Sequence, residues 1–315
     1  MTEPPATLSC PSCGGAARVL HRGRQLPAMA PRERYRIARM QYSTPSPILR
    51  CDDCQLGWAE TAYDGAAILD MYGEGEDPAY ALEEGPRRRT FRYGLDWVKR
   101  HRDGGKLLDV GASAGFLLAE ARELGYEPHG IEPSRWAAGE AKTRYGLELV
   151  VGSLDDNRFP DGSFDVITMV DVIEHLTDPF AALSELRRLL GDGGVLYLAT
   201  PDLGGLPARL LGRRWWGYEP FHLFYFNRRS LSRALGAAGF EVAGTRSYRR
   251  TFSLDYWLQK CGGLLPPLSP PVFRLATAII RRAGLAGRDV SLDLRDTLEV
   301  VARVRPAADG TESKR

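Results

Sequence analysis

Between residues 106 and 248, short apolar runs alternate with segments of helical periodicity, and this alternation limits the fold more than any other feature of the chain. The runs are "KLLDV" (106–110), "PHGIEP" (128–133), "ELVVG" (148–152), "FDVITMVDV" (164–172) and "GVLYLAT" (194–200), with "FEVAGTRSY" (240–248) as a sixth. Amphipathic stretches such as "FLLAEARELG" (116–125) and "FAALSELRRLLGDGG" (180–194) lie between them, each read as a helix stopped by glycine. Strands separated by helix-length crossovers build β-α units and a parallel sheet. The expected fold class is therefore α/β, a doubly wound sheet built of β-α units, preceded by a small N-terminal module.

The expected divisions are residues 1–75, a cysteine-bearing module; 76–105, a helical linker; 106–248, the α/β core; 249–305, a C-terminal elaboration; and 306–315, a disordered tail. The elaboration contains "PVFRLATAIIRRAGL" and a closing strand, "TLEVVARVR". That arginine-flanked stretch reads as a helix on the sheet with a basic solvent face, with a lid or a peripheral membrane contact as alternatives. The chain has 42 basic and 40 acidic side chains, so no global attraction to nucleic acid is encoded, although "GPRRRTFR" (85–92) forms a local basic run. No apolar run reaches transmembrane length and no signal-peptide pattern opens the chain, which points to a cytoplasmic protein.

The turn after the first strand, Gly111-Ala112-Ser113-Ala114-Gly115, is small but lacks the middle glycine that lets backbone approach a pyrophosphate. Asp109, ending that strand, would repel phosphate and attract a cation. Glu132 ends the second strand, where a carboxylate can accept both ribose hydroxyls. A ligand with an amino acid portion and a nucleoside portion but no phosphate meets these demands, and S-adenosylmethionine (SAM) is such a ligand.

The segments "LLDVGASAGFLL", "GIEPS", "FPDGSFDVITMVDVIEHLTDP" and "GGVLYLATP" resemble, in order and spacing, the motifs of class I SAM-dependent methyltransferases. The resemblance spans roughly residues 90 to 248 and implies that family's Rossmann-like, doubly wound sheet of seven strands, here behind a small N-terminal zinc-binding module. It implies that Asp109, Gly111, Ala112 and Gly115 cradle the methionine end, and that Glu132 holds the ribose. Where the family commonly places an adenine-binding Asp, this chain has Ser153, which moves the expected contact to the Leu154 backbone or Asp155. Asp171, at the end of the fourth strand, completes the expected cofactor set.

Acceptor chemistry is expected just beyond that strand. Asp171, Glu174 and His175 share one face if the chain turns helical there, and His222 lies downstream in the aromatic run "WWGYEPFHLFYF" (215–226), read as an acceptor-pocket wall. Glu174, His175 and His222 are the candidate catalytic residues. Two readings stand: His222 as an acceptor-side base, or the group as ligands for Mg2+ or another divalent ion. The second resembles the acidic-x-x-Glu-His core of metal-dependent small-RNA 2′-O-methyltransferases and ubiquinone-pathway O-methyltransferases, with Asp171 one methylene shorter at the first acidic position.

Cys10-x-x-Cys13 and Cys51-x-x-Cys54 form two knuckle-like pairs, a pattern for a closed four-thiolate structural zinc site. Cys261 stands alone. The expected activity is methyl transfer, at oxygen, to a small-molecule, sugar/glycan or lipid-linked acceptor. An RNA methyltransferase reading substrate through its zinc module, and a non-catalytic SAM-binding scaffold, are the rival readings.

Overall fold

A computed structural model describes residues 9–23, 46–60, 72–219, 221–258 and 270–306. Cys261 and residues 307–315 of the expected tail lie outside the described residues.

The core is a seven-stranded sheet built from β4 (Gly105–Val110), β5 (Tyr126–Glu132), β6 (Val150–Val151), β7 (Phe164–Val170), β8 (Leu190–Pro201), β10 (Phe240–Ser247) and β13 (Thr297–Val304), in the order β10-β13-β8-β7-β4-β5-β6. The five strands from β8 to β6 run parallel, and β13 is antiparallel to both of its neighbours. The order reverses beside β4, between β5 and β7. That switch point opens a crevice at the strand carboxyl ends, where open α/β sheets bind ligands.

Apolar side chains of the central strands are fully buried, including Leu107, Leu108, Val166, Ile167, Leu196 and Leu198. Near-continuous apolar runs are what a parallel sheet covered on both faces requires. Helix α1 (Pro78–Leu82) is capped by Asp77, and α2 (Glu84–Lys99) follows it. Helices α3 (Phe116–Glu123) and α4 (Arg135–Tyr145) cross over from β4 and β5; α4 is capped by Ser134 and stopped by Gly146 at φ 66°.

The structure differs from the sequence reading at several ends. Helix α5 (Pro179–Leu189) stops without a glycine, because Leu190 already starts β8 and "GDGG" is absorbed into the strand. Strand β7 ends at Val170, because Asp171 takes φ +53° and breaks the extended backbone. The basic run at 85–92 is no free patch: Arg88 pairs with Glu120 and Glu123, Arg92 with Asp96 and Glu120, and Arg89 with Asp289. A helix does form over Pro270–Arg282, but Leu275 and Ile279 are exposed rather than packed on the sheet. Among the described residues no helix is long and apolar enough to cross a membrane.

A second sheet, in the order β1-β2-β3-β9, joins β1 (Ala17–His21), β2 (Ile48–Cys51) and β3 (Gly57–Ala59) of the cysteine-bearing segment to β9 (Phe224–Tyr225) of the core. All its pairings are antiparallel. Part of the aromatic run expected as a pocket wall lies beside it instead. Trp215 and Tyr218 are buried with Ile48, Leu203, Ala208 and Tyr225, plugging the seam between the two sheets.

Candidate functional site

Asp109 is 4% exposed at the end of β4, and its Oδ1 accepts a 2.6 Å hydrogen bond from Thr168 Oγ1 on β7. Burial, with the nearby Glu132 carboxylate adding to it, pushes Asp109 up to about 7 despite the Thr168 bond. The turn that follows is tight: Gly111 and Ala112 both donate to the Ile131 carbonyl at 2.9 and 3.0 Å. Gly111 has φ +80°, and a Cβ there would stand 2.4 Å from Val172 Cγ2. Gly115, at φ +78°, caps α3, and a Cβ would press on Ala141 and Leu147 at 3.0 Å.

Glu132 is buried across the same crevice. Its Oε2 accepts from the Ser113 amide at 2.7 Å and its Oε1 from the Ser134 amide at 2.8 Å, while burial raises its pKa. Two carboxylates are thus desolvated in one pocket, an arrangement that favours a ligand carrying positive charge and hydroxyl donors. Ser153 and Leu154 follow β6. The Ser153 amide and hydroxyl both donate to Asp156 Oδ2, at 2.7 and 2.8 Å, and Leu154 is buried. Asp155 is exposed and lines a shallow depression of about 480 Å³ with Asn157, Ser184, Glu185 and Arg188.

The chain from Gly75 through α1 and α2 packs against the starts of α3 and α4. Ser134 Oγ donates to the Gly75 carbonyl at 2.8 Å, Tyr80 stacks on Phe116 with ring centroids 5.3 Å apart, and Arg87 lies 3.8 Å over the Tyr80 ring. Sequence reasoning treated this stretch as linker. Its only signal was the Asp77-Pro78 start of a helix beside tyrosines in "MYGEGEDPAY". Thr168 was missed as well, although it is the one hydroxyl in the run "FDVITMV".

Beyond β7 the chain makes a 3₁₀ turn, Ile173–His175, rather than an α-helix. The turn brings Glu174 and His175 beside His222, whose ligand-type atoms all lie within 4.8 Å of one another. Asp171 stays apart from that cluster and pairs with Arg250 at 3.4 Å; Arg250 is held from behind by Asp296 and Thr297.

Glu174 is 1% exposed. Its Oε2 accepts from Thr200 Oγ1 at 2.9 Å, whereas its Oε1 is buried with no hydrogen-bond partner among the described residues. Burial, then repulsion from Asp171, raises its pKa well above the carboxylate range. His175 Nδ1 lies 3.0 Å from the Phe221 carbonyl and 2.8 Å from Tyr72 Oη, and His222 Nδ1 lies 2.8 Å from the Gly217 carbonyl. A carbonyl only accepts, so each Nδ1 carries the proton and each Nε2 keeps its lone pair. Burial lowers both imidazoles to about 4. At neutral pH the cluster therefore holds two neutral imidazoles, with His222 Nε2 3.9 Å from Glu219 Oε2, and one carboxyl oxygen without a hydrogen-bond partner among the described residues.

The four cysteines come together from the β1 and β2 ends. Cys10 and Cys54 Sγ are 3.5 Å apart, as are Cys13 and Cys51 Sγ, close to the ~3.8 Å edge of a tetrahedron with ~2.3 Å metal–sulfur bonds. Amides of Ser12, Asp53 and Cys54 point at these sulfurs, at 3.3–3.4 Å. Burial pushes the Cys10 and Cys54 thiols up, so thiolates there require a cation. The group could hold one metal ion.

A family model for the methyltransferase domain matches residues 83–244. The chain is 30% identical over 148 residues to a probable S-adenosylmethionine-dependent methyltransferase of Mycolicibacterium smegmatis, covering 46% of this chain and 56% of that protein. It is 34% identical over 115 residues to a ubiquinone biosynthesis O-methyltransferase of Xanthomonas oryzae, covering 34% and 48%. The chain thus spans about half the length of the curated relatives it matches. Among solved structures, it superposes on a chain of the complex between the Haloferax volcanii Trm112 methyltransferase activator and a methyltransferase. The TM-score is 0.51 at 19% identity, over 75% of this chain and 97% of that one, a likeness of fold.

Proposed function

The chain belongs to the SAM-dependent methyltransferases, and from that premise we propose that it methylates an oxygen of a small-molecule, sugar/glycan or lipid-linked acceptor. Asp109 and the Gly111–Gly115 turn would hold the methionine end of SAM, and Glu132 the ribose. The Leu154 backbone is offered to adenine; Asp155 faces the depression beside α5 instead. Methyl transfer from a sulfonium is an in-line displacement, so the chain's task is alignment plus disposal of the acceptor proton.

One observation carries the acceptor side of this reading: buried Glu174, with one carboxyl oxygen unpartnered among the described residues, forms a group with His175 and His222 whose ligand-type atoms all lie within 4.8 Å of one another. Imidazoles held near 4 are weak bases at neutral pH but available ligands, which favours a divalent ion over direct proton abstraction by His222. Glu174, His175 and His222 fit such an ion, which when bound acts as a Lewis acid that lowers the pKa of an acceptor hydroxyl. Zinc is the metal proposed for the Cys10, Cys13, Cys51 and Cys54 site, in a closed structural role. The near-neutral charge and the paired 85–92 run speak against an RNA grip, and a cytoplasmic setting suits the reduced thiolates.

The test is transfer of labelled methyl from SAM to a panel of phenolic, sugar and polyprenyl-linked hydroxyl compounds, with and without chelator and with Mg2+ restored. Label on oxygen, lost with the Glu174→Gln variant, supports the proposal. SAM binding without turnover across the panel points to the scaffold reading, and salt-sensitive labelling of RNA points to the nucleic-acid reading.

A further inference from the structure

The cysteine cluster and the acceptor-side histidines are linked by a short, continuous set of backbone bonds. Cys54 is followed within three residues by β3, and His222 within two residues by β9. The two strands pair, Gly57 with Tyr225 and Trp58 with Phe224. The Ala59 amide donates to the Leu223 carbonyl at 2.8 Å, and the Leu223 amide donates onward to the Glu174 carbonyl at 2.7 Å. Asn227 Nδ2 closes the other end on the Gln55 carbonyl at 2.7 Å. Cys10, Cys51, Cys54 and Leu56 share one apolar cluster with Ile173, Leu223, Phe224 and Phe226.

Strand β9 is only two residues long; its edge is held by β3, while just beyond it the Leu203 amide donates to the Phe226 carbonyl at 2.8 Å and Tyr225 and Phe226 are buried. An isolated two-residue strand has negligible stability of its own. The main chain beside His222 and the Glu174 turn is therefore tied to β3 through Ala59 and Leu223, and β3 follows directly on the cysteine knuckle. Gln55, at φ +65°, makes the turn out of the knuckle, its Nε2 donating to the Asp52 carbonyl at 2.6 Å. The SAM-side residues stand elsewhere: Asp109 and Glu132 end β4 and β5, which pair with other core strands and not with the second sheet.

We infer that the four-cysteine metal site is a positioning brace for the acceptor half of the active site: metal bound by Cys10, Cys13, Cys51 and Cys54 holds β3, and through β9 sets His222 and Glu174, without acting on SAM binding. Gln55, Gly57 and Trp58 are then positioning residues. The inference rests on the metal and methyltransferase readings above, and its test separates it from both.

The full chain is purified, its metal counted by elemental analysis, and the metal withdrawn by chelation and restored with one equivalent of Zn2+. SAM affinity is measured by calorimetry, exchange of the 221–227 amides by hydrogen–deuterium exchange, and the ring signals of the histidines by NMR. A second arm uses Gly57→Val, whose Cβ would stand 2.9 Å from Leu203 Cδ2 and 3.1 Å from Tyr225 Cβ, opening the β3–β9 seam without touching a cysteine. The brace predicts that metal withdrawal speeds exchange at 221–227 at least tenfold and moves the His175 and His222 signals. It predicts His101 and His129 unmoved, SAM affinity within about threefold, and reversal by Zn2+. Gly57→Val should reproduce the exchange and histidine changes with metal retained. Unchanged exchange and histidine signals after metal loss overturn the brace, as does a purified chain that holds no metal at that site. Absent SAM binding in the untreated protein instead refutes the methyltransferase reading, and is seen separately by calorimetry.

Discussion

Replacing Asp109 with Asn tests whether the crevice is built for a cation. Burial pushes the Asp109 carboxyl up to about 7, from 3.8 for an unperturbed aspartate. Because the folded pKa is raised, the native state binds the proton more tightly than the unfolded chain does. The associated stability is fully present below pH 3.8 and is lost as the pH rises through 7. Between pH 5 and 7 the loss amounts to roughly 2 kcal/mol, the slope of 1.36 kcal/mol per unit flattening as the pH reaches 7. Asp109→Asn removes that slope, so urea denaturation of the unliganded variant should fall less steeply with pH than wild type by about this amount. SAM affinity should behave oppositely. Binding to the wild type strengthens as Asp109 ionises up to about pH 7 and then levels, because a cationic amino group needs the carboxylate. In Asp109→Asn the affinity should be weaker by about 10- to 100-fold at pH 8, the ~1.5–3 kcal/mol worth of a charge-assisted hydrogen bond, and nearly flat with pH. Parallel pH profiles for the two proteins in both assays would refute the assignment of Asp109.

Glu132→Gln removes charge from the acceptor of the Ser113 and Ser134 amides, and calorimetry should show SAM affinity lower by about tenfold or more. Gly111→Ala forces a Cβ at φ +80° against Val172; it should cost about 1–3 kcal/mol in denaturant unfolding and abolish measurable SAM binding. Glu174→Gln replaces a carboxyl that burial already raises well above its usual range, so unfolding free energy should change by less than about 1 kcal/mol and SAM affinity within about twofold. Methyl transfer by that variant should nevertheless fall about 100-fold, in radiolabel assays with an accepted substrate. Gly94→Ala would place a Cβ 2.5 Å from the buried Tyr197 hydroxyl and should lower thermal stability by several degrees, with no selective effect on SAM.

The sheet was legible because its strands are apolar runs between helical segments, and the positions of Asp109, Gly111 and Glu132 at the carboxyl ends of the first two core strands followed from it. The acceptor side was legible in composition but not in geometry. The i, i+3, i+4 spacing of Asp171, Glu174 and His175 suggested one helical face, yet Asp171 adopts a left-handed backbone and the chain tightens to a 3₁₀ turn, which leaves Asp171 with Arg250. His222 joins the cluster through a two-residue strand, too short to give a period. The aromatic run misled because dense Trp and Tyr with Gly and Pro suits a pocket wall and a domain seam equally. What decides is the presence of Ile48 and Tyr225 from separate strands, which no local pattern encodes. Tyr72 and Tyr80 were hidden for the same reason, since they act through contacts with His175 and Phe116 far along the chain.

The most direct test of the account is a crystal structure with S-adenosylhomocysteine bound. The account predicts the ligand in the switch-point crevice, its amino group at Asp109 and its ribose hydroxyls on Glu132. Its sulfur should be turned toward the cleft that contains Glu174, His175 and His222. A ligand seated elsewhere, or a crevice that stays empty at saturating ligand, would contradict it.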